Sequence, residues 1–214
     1  MLKNEIYISD NHILADYLGI KLTMQSSELE WKKAINIFID RMKGRYIDAI
    51  NKLSNNGDKI LLQKYGFSIM CIQCLLIDTL VKFRYGPTLS KRGTLSYNYE
   101  NQNHFTKFLK EAFSEDFNNE MALKFYRDIR CGIMHFGTTK RNSRLTCDSN
   151  QLITRIDDGN ISVDINILEE RLEQYFQQYI EEIKQENQTE LRENFIIAMN
   201  YICNIYQKDE KWEI

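Results

Sequence analysis

The chain of 214 residues is 43% hydrophobic, 27% charged and 12% aromatic, with nine glycines and one proline, a balance that excludes disorder and collagen-like repetition and predicts a packed core. Twenty-eight Lys and Arg against thirty Asp and Glu leave a net charge of -2, so no global positive field announces a polyanionic partner and any basic site is local. The five cysteines, an odd number spread through apolar stretches, fit a reducing, cytoplasmic setting better than a disulfide framework.

One domain is expected over 1–214, because a single core still grows over that size. Residues 1–26 read as an N-terminal arm without the basic start, apolar run and small-residue site of a secretion signal. Ser27 and Glu30 then form a capping box, and Trp31, Ile35, Phe38, Met42, Tyr46, Ala49, Ile50 and Leu53 recur at steps of three and four. The spacing predicts a long amphipathic helix, stopped by the turn-forming Asn55-Asn56-Gly57-Asp58.

A second helix is expected over about 60–83. Its second half is apolar almost all round, as in a helix at the centre of a bundle. Ser68, Gln73, Asp78, Thr79 and Lys82 interrupt the apolar run, which argues for a core helix and against a membrane span. Gly86-Pro87 ends it, and the polar, aromatic stretch 88–103 reads as a loop longer than ordinary connections.

Helical spacing returns at Phe105, Phe108, Leu109, Ala112 and Phe113, then, after a candidate cap at Ser114, at Phe117, Met121, Phe125 and Ile129. Short β-rich runs around Asp157-Asp158-Gly159-Asn160 predict a small β-hairpin at 151–164. Two apolar stripes follow, Leu168 to Ile183 and Leu191 to Tyr206, as two final helices or one bent one. The expected fold class is mainly α, with the small hairpin inserted.

The sequence holds no GxGxxG, P-loop, HExxH or GxSxG arrangement. Cys71 and Cys74 stand three positions apart as Cys-Ile-Gln-Cys, a spacing suited to a metal, yet inside the most apolar helix and without a second ligand pair, so they read as core residues and no metal is expected. His12 and His104 lie in ordinary polar surroundings. His135 differs. Between 121 and 144 stand Lys124, Arg127, Arg130, Lys140, Arg141 and Arg144 against the single acid Asp128, whereas 167–194 holds eight glutamates against three basic residues. Such segregation suits a protein that meets phosphates at one face; equally, the two segments are solvated faces that neutralise each other.

Arg130-Cys131-Gly132-Ile133-Met134-His135 resembles the Arg, four to six residues, His motif of the HEPN superfamily, all-α proteins that include metal-independent ribonucleases of toxin and antiphage systems. The resemblance extends over about 28–206, through a long apolar helix, a polar loop and the motif late in a later helix. It departs at Cys131, where many active members carry a polar residue, and it lacks the tyrosine of members paired with nucleotidyltransferase antitoxins.

The resemblance implies an antiparallel HEPN-like bundle and an endoribonuclease without cofactor. It implies a homodimer with a composite site, RNA as substrate, and an antitoxin or defence-system protein as partner, with no membrane. His135 would act as general acid or base and Arg130 as phosphate ligand, with Arg127, Lys140 and Arg141 holding the flanking backbone. The other reading is a non-catalytic HEPN-like binding module in a defence complex, with Arg130 paired to an acid of the C-terminal helix.

Five residues turn an ideal helix through about 500°, which leaves Arg130 and His135 about 140° apart. An irregular turn at Gly132, with Gly137 as helix cap, is therefore expected to bring them to one groove. Asp78 and Lys82, one turn apart, are expected either to pair with each other or to buttress the site.

Overall fold

The computed structural model describes residues 6–55, 58–86, 100–156 and 159–203. Ser27 accepts a hydrogen bond from the Glu30 amide at 3.4 Å while Glu30 accepts one from the Ser27 amide at 2.7 Å. This reciprocal cap starts helix α2, Glu28–Met42, after a short helix α1, Leu14–Ile20, inside the expected arm. Burial of Tyr17 and Ile20 explains why that segment folds. A π-helical turn, Lys43–Ile47, carries α2 into α3, Asp48–Ser54, and Asn55 ends α3 in the left-handed region at φ 45°. Asn56 and Gly57 of the expected turn lie outside the described residues.

Asp58 caps α4, Lys59–Tyr85, by accepting from the amides of Ile60 and Leu61 at 2.9 and 3.1 Å. This helix packs against α3, against four of the later helices and against the first strand. Among the described residues it is the one helix long and apolar enough to cross a membrane by length and composition. Here Ile69, Met70, Cys74, Leu76, Ile77 and Leu80 are buried in the core.

Helix α5 spans Glu100–Ala112, so 100–103 are helical where a loop was expected, and 88–99 lie outside the described residues. The next helix, α6, Asn119–Lys124, is capped by Asn118, which accepts from the Met121 amide at 3.0 Å; the expected cap at Ser114 is not used. A second π turn, Phe125–Arg130, leads into α7, Cys131–Phe136.

The hairpin forms from β2, Ile153–Arg155, antiparallel to β3, Ile161–Asp164, with Ile153 opposite Val163 and Arg155 opposite Ile161. Asp157 and Asp158 of its turn lie outside the described residues. A strand the sequence did not announce, β1, Arg144–Thr146, pairs parallel with β3 and makes it the central strand.

Helices α8, Ile165–Ile183, and α9, Thr189–Ile202, complete a mainly helical fold with this small three-stranded sheet. Tyr206, expected on the last stripe, lies outside the described residues. Asp164 caps α8 through the amides of Asn166 and Ile167, and buried Gln73 of α4 donates to the Ile165 carbonyl at 2.8 Å. At the other end the buried Arg192 guanidinium donates to the carbonyls of Ile183 and Lys184 at 3.2 and 3.1 Å and lies 4.4 Å from the Trp31 ring centroid. A cation thus satisfies carbonyls that a helix end leaves unpaired. Phe38 sits where α2, α4, α8 and α9 meet, touching Phe83, Phe176, Tyr179 and Phe195.

On α8, burial first, and then the charges of Glu173 and Glu170, push the half-buried Glu169 carboxyl up to about 7. A raised folded pKa means that the folded state holds the proton more tightly, so this group costs stability as pH rises from about 4.5 through 7. Glu169→Gln is therefore expected to raise stability at about pH 8 by roughly 1 kcal/mol, after solvent screening is allowed for, and to match wild type below about pH 4.5. Urea unfolding of both proteins across pH checks this; a gap independent of pH contradicts it.

Candidate functional site

Residues 121–144 build one corner of the fold around α7. The widened π turn ends at Arg130, and regular α-helix follows from Cys131, so the irregularity lies before the motif rather than within it. Gly132 consequently does another job. A Cβ there would strike the Thr138 carbonyl oxygen and stand 3.2 Å from the Thr139 Cα, so glycine is what lets the 138–140 backbone lie against the helix. Gly137 ends α7 at φ 68°, as its position predicted. The Lys140 amide then donates to the Asp128 carbonyl at 2.9 Å and ties the loop back to the π turn.

Because the helix is regular between them, Arg130 and His135 point different ways within one chain. Arg130 turns inward. Its Nη2 and Nε donate to the same Asp78 oxygen at 2.8 and 3.3 Å, its guanidinium lies 5.5 Å from the Tyr126 ring centroid, and its Nη1 is 4.0 Å from the Cys131 Sγ. Burial alone would lower its pKa, but the Asp78 charge and hydrogen bonds outweigh that and raise it. Asp78 thus bridges to Arg130, not to Lys82 of its own helix, and Arg130 meets an acid of α4, not of the C-terminal helices. Of the two roles expected for Asp78, pairing with Lys82 or buttressing the site, the structure shows the second, on Arg130.

His135 is exposed at the last turn of α7 and has no hydrogen bond or ion pair among the described residues. Beside it Phe136 is 69% exposed, with the Lys140 Nζ 4.5 Å from its ring centroid. Arg141, at φ 52°, reaches back 3.2 Å to the buried Asp128 carboxylate yet remains largely exposed. Arg127 and Arg144 are exposed and unpaired among the described residues. Met134 faces α4, where the Cys71 thiol lies 3.7 Å from its sulfur.

Cys74 is buried, and that burial, reinforced by Asp78, pushes its thiol up; a deprotonated ligand is disfavoured there. Among the described residues no three His, Cys, Asp or Glu side chains converge to hold a metal ion.

The acidic segment finds its own partners: Glu182 binds Arg84 at 2.6 Å and Glu181 binds Lys184 at 2.7 Å. Among the described residues no ion pair joins it to the basic segment, so the two do not neutralise each other by contact. Compared with family models, curated proteins and solved structures, the chain matches none.

Gly132→Ala is expected to destabilise the protein by about 1–3 kcal/mol, because the methyl meets backbone that no rotamer change can clear. A lower urea midpoint at unchanged slope is the expected result; a midpoint equal to wild type would show that the 138–140 loop is free to move away.

Proposed function

We propose that the protein is a metal-independent endoribonuclease of HEPN type, acting as a homodimer in the cytoplasm within a toxin-antitoxin or antiphage setting. The observation that carries this reading is His135, exposed and unpaired among the described residues five positions after Arg130, in a basic segment whose cations contact no acid of the C-terminal helices. An RNA 2'-hydroxyl attacks its own adjacent phosphorus once a base takes its proton, and imidazole exchanges protons near neutral pH. His135 takes that role.

A guanidinium carries five N–H donors. Asp78 accepts two from Arg130 and fixes the plane of the group, which leaves donors on Nη1 and Nη2 for the phosphate oxygens as negative charge builds in the transition state. As the 2'-oxygen bonds to phosphorus the bond from phosphorus to the 5'-oxygen breaks, and the imidazolium formed at His135 returns the proton to that departing oxygen; the products are a 2',3'-cyclic phosphate and a 5'-hydroxyl, and DNA resists because it lacks the attacking hydroxyl. Arg127, Lys140 and Arg141 hold the flanking phosphates.

Since one chain points Arg130 inward and His135 outward, the working site is assembled from two chains. Exposed Phe67 and Leu75, on the outer face of α4 that also carries Cys71, offer apolar surface near Met134 for that contact. The second reading, a binding module that engages a partner in a defence complex, draws on the Arg130–Asp78 pair, because an arginine already neutralised needs no phosphate.

Cleavage of a mixed RNA pool in EDTA by wild type, Arg130→Ala and His135→Ala, each matched for size and helicity, tests the proposal. Wild type is expected to cut, and each variant to lose about 10²- to 10⁴-fold in rate. Intact RNA with all three proteins, or cutting by all three, contradicts the assignment.

A further inference from the structure

We propose that Phe136 is a stacking platform for an unpaired nucleobase, so that the substrate class of the His135 site is single-stranded RNA read without strong base preference. For the identity of the ligand this rests on the ribonuclease reading above. A single exposed apolar side chain is unremarkable on a protein surface; three observations set this one apart.

Its place comes first. Phe136 follows His135 directly on α7, and successive helical residues stand about 100° and 1.5 Å apart. A base on the ring therefore lies one nucleotide's reach from a phosphate at the imidazole.

Its setting comes second. The ring is 69% exposed, with the Lys140 Nζ 4.5 Å from its centroid, and Arg127, Arg141 and Arg144 are exposed on the same segment. An aromatic face with one cation against it, on a segment that carries further exposed cations, suits a ligand that alternates π surface with negative charge, as a nucleic-acid single strand does. An apolar protein partner would call for contiguous apolar surface, since the centre of such interfaces is depleted of charge.

Its rigidity comes third. Gly132 lets the 138–140 backbone lie against α7, Gly137 closes the helix, and the Lys140 amide is pinned to the Asp128 carbonyl at 2.9 Å. The backbone that carries the ring and its neighbouring cation is thus fixed before any ligand arrives, which lowers the cost of ordering the site on binding. Stacking reads no base edge, so all four bases are accepted, whereas a duplex, with its bases paired and stacked, cannot present one to the ring.

The test uses the full chain carrying His135→Ala, to prevent cleavage, and an unstructured oligoribonucleotide containing one 5-iodouridine. Ultraviolet crosslinking is expected to join the iodinated base to Phe136. Adding Phe136→Ala is expected to weaken binding roughly tenfold without changing its salt dependence, while Phe136→Tyr binds within about twofold. Lys140→Ala should instead reduce the salt dependence by about one phosphate contact.

Equal affinity with and without the ring, crosslinks at other residues, no RNA binding at all, or loss of self-association in Phe136→Ala with RNA affinity unchanged each overturns the proposal. If wild type cleaves RNA and Phe136→Ala has the same KM, the platform fails and the ribonuclease stands. If the crosslink and the affinity loss appear and wild type never cleaves, the ribonuclease reading fails and the single-strand site stands.

Discussion

Helix α4 has more apolar surface than any one neighbour can cover, and the rest of the fold is arranged to keep that surface from water. Its residues Ile69, Met70, Cys74, Leu76, Ile77, Leu80 and Phe83 are all buried, each contributing on the order of 1.5–3 kcal/mol before the entropy of ordering is subtracted. Helices α3, α5, α7, α8 and α9 and strand β1 supply the cover. Polar groups of α4 then fix the angles at which that cover lies: Gln73 holds the first carbonyl of α8, Thr79 meets the Tyr46 hydroxyl at 3.0 Å, and Asp78 binds Arg130.

The Asp78–Arg130 pair decides what the motif helix can do. A guanidinium tied to α4 sets the rotation of α7 about its axis, and a regular helix then places the residue five positions later about 140° away, in solvent. That one rotation explains why Arg130 is sheltered while His135 and Phe136 are exposed. Under the proposed reading, a second chain then brings the other half of the site. Both side chains of the pair are only about one-fifth exposed, so removing either partner would leave a sheltered charge uncompensated, a heavier penalty than losing a surface ion pair.

Elements with a local cause were legible in the sequence. The Ser27–Glu30 box, the Asn55 stop, the hairpin pairing and the Gly137 cap each follow from residues within a few positions of one another, and each is present. What escaped has a non-local cause. Strand β1 is three residues long and exists because β3 offers a free edge beside it. The two π turns insert a residue that a search for steps of three and four absorbs without trace. Gly132 invited an explanation by helix flexibility, but the reason for glycine is a backbone segment packed against it, which only the folded chain displays. At the site, the sequence singled out Arg130, His135 and the basic run and offered Asp78 as a buttress; that Asp78 holds Arg130 inward and that the Phe136 ring is open emerge only from the rotation of α7.

In the proposed reading two chains complete one site. Co-expressing differently tagged Arg130→Ala and His135→Ala chains and purifying the mixed dimer tests it directly, with RNA cleavage as the readout. If Arg130 of one chain works with His135 of the other, the mixed dimer retains one intact site of two and cleaves at about half the wild-type rate, although neither variant dimer cleaves alone. A mixed dimer as inactive as its parents, beside an active wild type, would place both residues of each site in a single chain and contradict the composite arrangement.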